Sequence, residues 1–122
     1  MSKFINSQIV CLDCHNKSLY CEVIETTKDG FNSWVRPVIL VDLQNKDNNY
    51  YPPKSDVYDL RFTSDLLWKT EDFRVVLDTE YIEFFVNLQE FEFDEDKLII
   101  GKQQLRIFIQ EMILQKKLIP DT

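Results

Sequence analysis

Apolar and polar positions alternate through the first third of the chain in the two-residue rhythm of half-buried strands. Gln8 to Asp13 (QIVCLD) is a short apolar run that closes in the polar turn His15-Asn16-Lys17. In Ser18 to Thr27, Leu19, Cys21 and Val23, with Glu25 as a further member, share one face, and Tyr20, Glu22 and Ile24 share the other. β-Branched and aromatic residues dominate this stretch, which favours strand over helix. Lys28-Asp29-Gly30 supplies a turn, and Trp34 to Asp42 (WVRPVILVD) returns as a third strand, so the two form a hairpin. Pro37 has no amide donor and is expected at an edge, a bulge or a bend. Gln44 to Ser55 reads as a polar loop closed by Pro52-Pro53, and Val57 to Phe62 (VYDLRF) as a fourth strand.

The period changes in the second half. Thr63-Ser64-Asp65 is expected to cap a brief helical turn through Leu66, Leu67 and Trp68. Phe73 to Leu77 fits either strand or helix, and Asp78-Thr79 caps a predicted helix over Glu80 to Gln89. Phe91-Glu92-Phe93 alternates like a strand and is broken by Asp94-Glu95-Asp96. From Leu98 the helical period is strong: Leu105, Phe108, Ile109, Met112 and Ile113 fall on one stripe, and Ile107, Leu114 and Leu118 on a second. A helix apolar on two sides is either sandwiched or paired with another chain, so a homodimer through this helix is one expectation. Strands followed by helices indicate an α+β domain. The preferred architecture is a small curved antiparallel sheet or SH3-like partial barrel in the N-terminal half with C-terminal helices packed on it. A plain antiparallel sheet covered by helices is the alternative. Residues 1–122 suit a single domain.

Composition narrows the function classes. Only Gly30 and Gly101 are present, too few for a glycine loop that cradles phosphates. No apolar run approaches the roughly 18 residues of a membrane helix. The net charge of −7 is concentrated in one place: residues 71–96 hold ten acids against Arg74 alone. Such a field repels phosphate backbones, so direct nucleic-acid binding is not expected, while a basic protein surface would be attracted. Three cysteines without a secretion signal suit reduced thiols and a cytoplasmic setting.

Cys11-Leu12-Asp13-Cys14-His15 matches the c-type haem attachment string, but no apolar export core precedes it and it lies in strand and turn. Metal binding at Cys11, Cys14 and His15 is the alternative reading, set against four-ligand structural zinc, which wants a second pair. If the first two strands pair, Cys11 and Cys21 could be cross-strand neighbours in the core, with Cys14-His15 in the exposed turn. His15 is the only histidine, and its neighbour Cys14 would point away from it in an extended chain, so nucleophilic catalysis finds no support. No cofactor and no enzymatic activity are expected.

Trp34, Arg36, Arg61 and Trp68 stand in strand ends and loops, and these residue types supply most interface hot spots. Together with Glu90, Glu92 and Asp94 from the acidic stretch they are the candidate partner-binding residues. The run Leu19-Tyr20-Cys21-Glu22-Val23-Ile24 to Trp34-Val35-Arg36-Pro37-Val38, resumed in Tyr58-Asp59-Leu60-Arg61 and Ser64-Asp65-Leu66-Leu67-Trp68, resembles small uncharacterised proteins of cyanobacteria and plastid lineages. The resemblance implies an accessory protein and carries no catalytic or binding residues. The expectation is a non-catalytic interaction module, an adaptor, assembly factor or regulator. Its partner would be a basic surface such as that of a nucleic-acid-processing enzyme. A small metal or redox protein and an RNA-binding small barrel are the alternatives.

Overall fold

The computed structural model describes residues 4–42, 57–77, 79–80, 82 and 94–118. Among the described residues six strands form one antiparallel sheet: β1 (Ile9–Cys14), β2 (Lys17–Thr26), β3 (Asn32–Asp42), β4 (Val57–Asp59), β5 (Leu66–Lys69) and β6 (Arg74–Val75). One long helix, α1 (Glu95–Leu118), packs on it. The order is β4-β3-β2-β1-β6, and β5 also pairs with β3, beyond the end of β4. Among the described residues no pairing closes β6 onto β4 or β5, so the sheet is open.

Alternation along the strands sorts side chains onto two faces. Val10, Leu12 and Cys14 of β1, Leu19, Cys21 and Val23 of β2, and Val35 and Leu40 of β3 form one buried cluster with Phe108 and Met112 of α1. We call this the helix face. Cys11, Tyr20, Ile39 and Val41 belong to a second buried cluster on the opposite, outer face, with Val38 and Val76. Gly101 lets α1 pass close to β4: a Cβ there would stand 3.1 Å from the Asp59 carbonyl oxygen, and the neighbouring backbone would have to give by a few tenths of an ångström.

Two irregularities bend the central hairpin. Tyr20 faces Ile39 and Cys21 faces Pro37, so Val38 is an extra residue, and the bulge sits at the proline that cannot donate to the ladder. The second lies at Ile24, between the pairs Val23–Val35 and Glu25–Trp34. It puts Glu25 on the exposed side, off the face that simple alternation predicts for it.

Four other expectations are corrected. Leu66–Lys69 is a strand and not a capped helical turn: Leu66 and Trp68 pack against the core while Leu67 and Lys69 point outward, and β3 offers a free edge beside them. The fourth strand stops at Asp59, and Phe62 is exposed. Cys14 is buried at the end of β1, not exposed in the turn. On α1 the stripe Leu105, Phe108, Ile109 and Met112 faces the sheet, whereas Ile113 stays exposed. Phe73–Leu77 resolves to the short strand β6. The predicted strand over 91–93, most of the predicted helix over 80–89 and the side chain of Leu118 lie outside the described residues.

Candidate functional site

Trp34 and Leu67 face each other across the β3–β5 pair, and both are on the outer face, since their neighbours Val35, Leu66 and Trp68 pack on the helix side. Trp34 is 46% exposed and Leu67 60% exposed, so two large apolar side chains in adjacent strands open to solvent together. The indole N–H of Trp34 donates to Asp65 Oδ2 at 3.1 Å, and Arg36 Nε lies 3.6 Å from the other oxygen of the same carboxylate. Asp65 therefore fixes both candidate anchors by their polar ends and leaves the ring face to solvent. Glu22 stands across from Arg36, and Glu25 across from Trp34, so acids rim the second side. Two register steps further, Asn32 pairs with Lys69 and borders a cleft of about 460 Å³ lined also by Gly30, Phe31, Thr70 and Glu71. The buried Ser33–Thr70 hydroxyl contact at 2.7 Å pins the floor of this end.

The structure thus brings Trp34 and Arg36 together and separates the other candidates from them. Trp68 turns to the helix side, half-buried, with its indole N–H donating to Asp72 at 2.7 Å. Arg61 clamps Asp59 through Nε and Nη2 at 2.9 and 2.7 Å and lies over the Phe62 ring. Asp94 caps α1, its Oδ1 accepting from the Asp96 amide at 2.9 Å. Glu90 and Glu92 lie outside the described residues. Leu67 and Asp65 complete the patch, and sequence reading passed over them because LLWK was given a helical period. The signal was available in the alternation of Leu66 and Trp68 with Leu67 and Lys69.

A second polar group occupies the outer face around Cys11. Arg74 reaches Asp13 through Nε and Glu80 through Nη1 and Nη2, at 3.0 and 2.8 Å. Tyr20 donates its hydroxyl to Glu80 at 2.7 Å, and Ser18 donates to Asp13 at 2.7 Å. Burial raises the Asp13 carboxyl, but hydrogen bonds from Arg74 and Ser18 outweigh it and the net shift is downward. Arg74 holds Glu80 below the ordinary carboxylate range. Burial, then the bond to Glu80, pushes the Tyr20 hydroxyl up, and burial does the same to the thiols of Cys11 and Cys21. Every hydrogen-bonding group named here is engaged with another, so the network reads as a structural tie between β6 and the sheet.

The third group lies at the tip of the β1–β2 hairpin. Cys14, His15 and Glu111 of α1 bring their donor atoms within 4.8 Å of one another. Cys11 and Cys21 are on opposite faces, since Cys11 pairs with Tyr20 and Cys21 with Val10. Cys11 is likewise on the face away from Cys14, so the five-residue haem-like string does not converge on one point.

Comparison with known proteins finds no matching family model, no matching curated protein and no matching solved structure. The functional reading therefore rests on these three groups.

Proposed function

We propose that this protein is a non-catalytic protein-binding module whose contact surface is the open part of the outer sheet face around Trp34 and Leu67. The observation that carries the reading is the pairing of two large, exposed apolar side chains in adjacent strands, with the indole held by Asp65 and flanked by Arg36. A tryptophan whose N–H is already satisfied loses little on docking and brings a rigid, wide ring, which is the usual anatomy of an interface anchor. Backbone hydrogen bonding and the Ser33–Thr70 contact hold the platform, so it is pre-organised. The partner offers an apolar pocket with a basic rim, complementary to Glu22, Glu25 and Asp65 and to the overall charge of −7.

The test is a quantitative pull-down from native extract, followed by affinity measurement with the captured protein. Trp34→Ala should weaken binding by roughly 30-fold or more, corresponding to about 2 kcal/mol at a hot spot. Raising salt should slow association, because rim charges are screened. Binding that survives Trp34→Ala and Leu67→Ala together rejects this surface.

Self-association along α1 is a second reading. Ile100, Ile107 and Leu114 recur every seventh position and remain 46%, 40% and 57% exposed. Sedimentation over a wide concentration range decides it: a mass that stays monomeric throughout dismisses a seam on this helix.

A further inference from the structure

We propose that Cys14 Sγ, the His15 imidazole and the Glu111 carboxylate bind one zinc ion, with water in the fourth position. This site is distinct from the surface around Trp34.

Cys14 and Lys17 close β1 against β2, leaving His15 and Asn16 as a two-residue turn. His15 has φ of 55°, a left-handed conformation that hairpin turns usually assign to glycine or asparagine. In an extended chain adjacent side chains oppose each other. The left-handed residue breaks that alternation, and Cys14 and His15 both come to the last turns of α1. The imidazole Nε2 lies 3.9 Å from Glu111 Oε2. The Cys14 thiol, on the helix face, has Gln115 Oε1 at 3.2 Å. A sequence-adjacent pair is thereby converted into a chelate with a third donor from a distant element.

Glu111 divides its two oxygens. Oε1 accepts from Lys17 Nζ at 3.0 Å, and Oε2 faces His15. Lys17 therefore orients the carboxylate while one oxygen stays available for a metal, as outer partners of metal ligands do. Tetrahedral zinc with S, N and O donors places them about 3.3–3.6 Å apart. The present spacing closes to that by rotating the exposed imidazole and the half-buried carboxylate, with Cys14 kept in its buried position. Sulfur and imidazole nitrogen select a borderline-soft ion over calcium or magnesium. Three protein ligands with an open fourth position differ from the closed four-ligand sites of structural zinc. On binding, the Cys14 thiol loses its proton to solvent, sulfur donates a lone pair to the ion, and His15 coordinates as neutral imidazole, so one proton is released per ion.

The experiment titrates the full-length protein with zinc alone by calorimetry, and with cobalt as a spectroscopic substitute. One equivalent should bind, with a thiolate-to-cobalt charge-transfer band and release of one proton. His15→Gln changes an exposed side chain, and Glu111→Gln is isosteric and keeps an oxygen that can accept from Lys17, so both should fold. Each should lower zinc affinity at least by the factor that loss of an outer partner brings, about 10–100-fold. Cys14→Ser should abolish the charge-transfer band, while Cys11→Ser and Trp34→Ala leave it unchanged. No band with the wild type, a band that persists in Cys14→Ser, or affinity unaltered in both His15→Gln and Glu111→Gln would overturn the assignment.

Discussion

The two ends of β3 present their outer face in opposite ways. Toward its C-terminal end Ile39 and Val41 are 0% and 1% exposed, whereas toward its N-terminal end Trp34 is 46% exposed and Arg36 is open beside it. The bulge at Val38 separates them. Beyond it, Ile39 and Val41 pack with Cys11, Tyr20 and Val76, and Tyr20 and Arg74 hold Glu80 at the same face. Before it, β5 continues the sheet sideways, and Trp34 and Leu67 stay largely open to solvent. One strand thus serves the core with one half and solvent with the other. A hydrophobic side chain at an outward position is not by itself a binding residue. What distinguishes the two halves is whether the rest of the chain covers them.

The largest effect expected from this contrast is on stability. Ile39→Ala removes a fully buried branched side chain and should cost about 2–5 kcal/mol in urea unfolding. Trp34→Ala on the same face, where about half of the ring is already in water, should cost clearly less, about 1 kcal/mol. Similar losses from the two would mean that both halves are covered, and the contrast would fail.

The covered half should also carry a pH signature. Asp13 and Glu80 are held below their ordinary values of 3.8 and 4.5, so their contribution is fully present above that range. Below it the unfolded chain binds more protons, and stability declines as pH falls through the lowered folded values. Tyr20 is shifted upward from 10.0, so its contribution is present below that pH and is lost as pH rises past it. Unfolding measured across pH should show both limbs, and Arg74→Met should flatten the acid limb. Because Arg74 is substantially exposed, the same change at neutral pH should cost only about 0–1 kcal/mol. An unaltered acid limb would place the titrating groups elsewhere.

Thiol labelling sharpens the same contrast on the other axis of the molecule. All three cysteines are buried, so without denaturant each should react slowly, Cys14 included. Rapid labelling of Cys11 would show that the covered half opens. At the helix start, Asp94→Ala should cost about 1 kcal/mol by removing the cap of α1.

Period and punctuation along the chain were enough for the α+β class, the β1–β2–β3 meander, the long C-terminal helix and the irregularity at Pro37, because each depends on contacts between near neighbours or on a proline that cannot donate. They named Trp34 and Arg36 only as members of a wider set with Arg61, Trp68, Glu90, Glu92 and Asp94, without bringing the two together. They were not enough for Leu66–Lys69, four residues whose conformation is decided by the free edge of β3. Nor could they place Trp68, which differs from Trp34 only in the face its strand turns to the core. The convergence of Cys14, His15 and Glu111 was beyond sequence reading for the same reason. Alternation puts Cys11 and Cys14 on opposite faces, one left-handed residue returns His15 to Cys14, and a helix nearly a hundred residues away supplies the carboxylate. Local pattern records which residues share a face. Which faces meet, and which remain open to water, depends on long-range packing, and only the tertiary structure decides that.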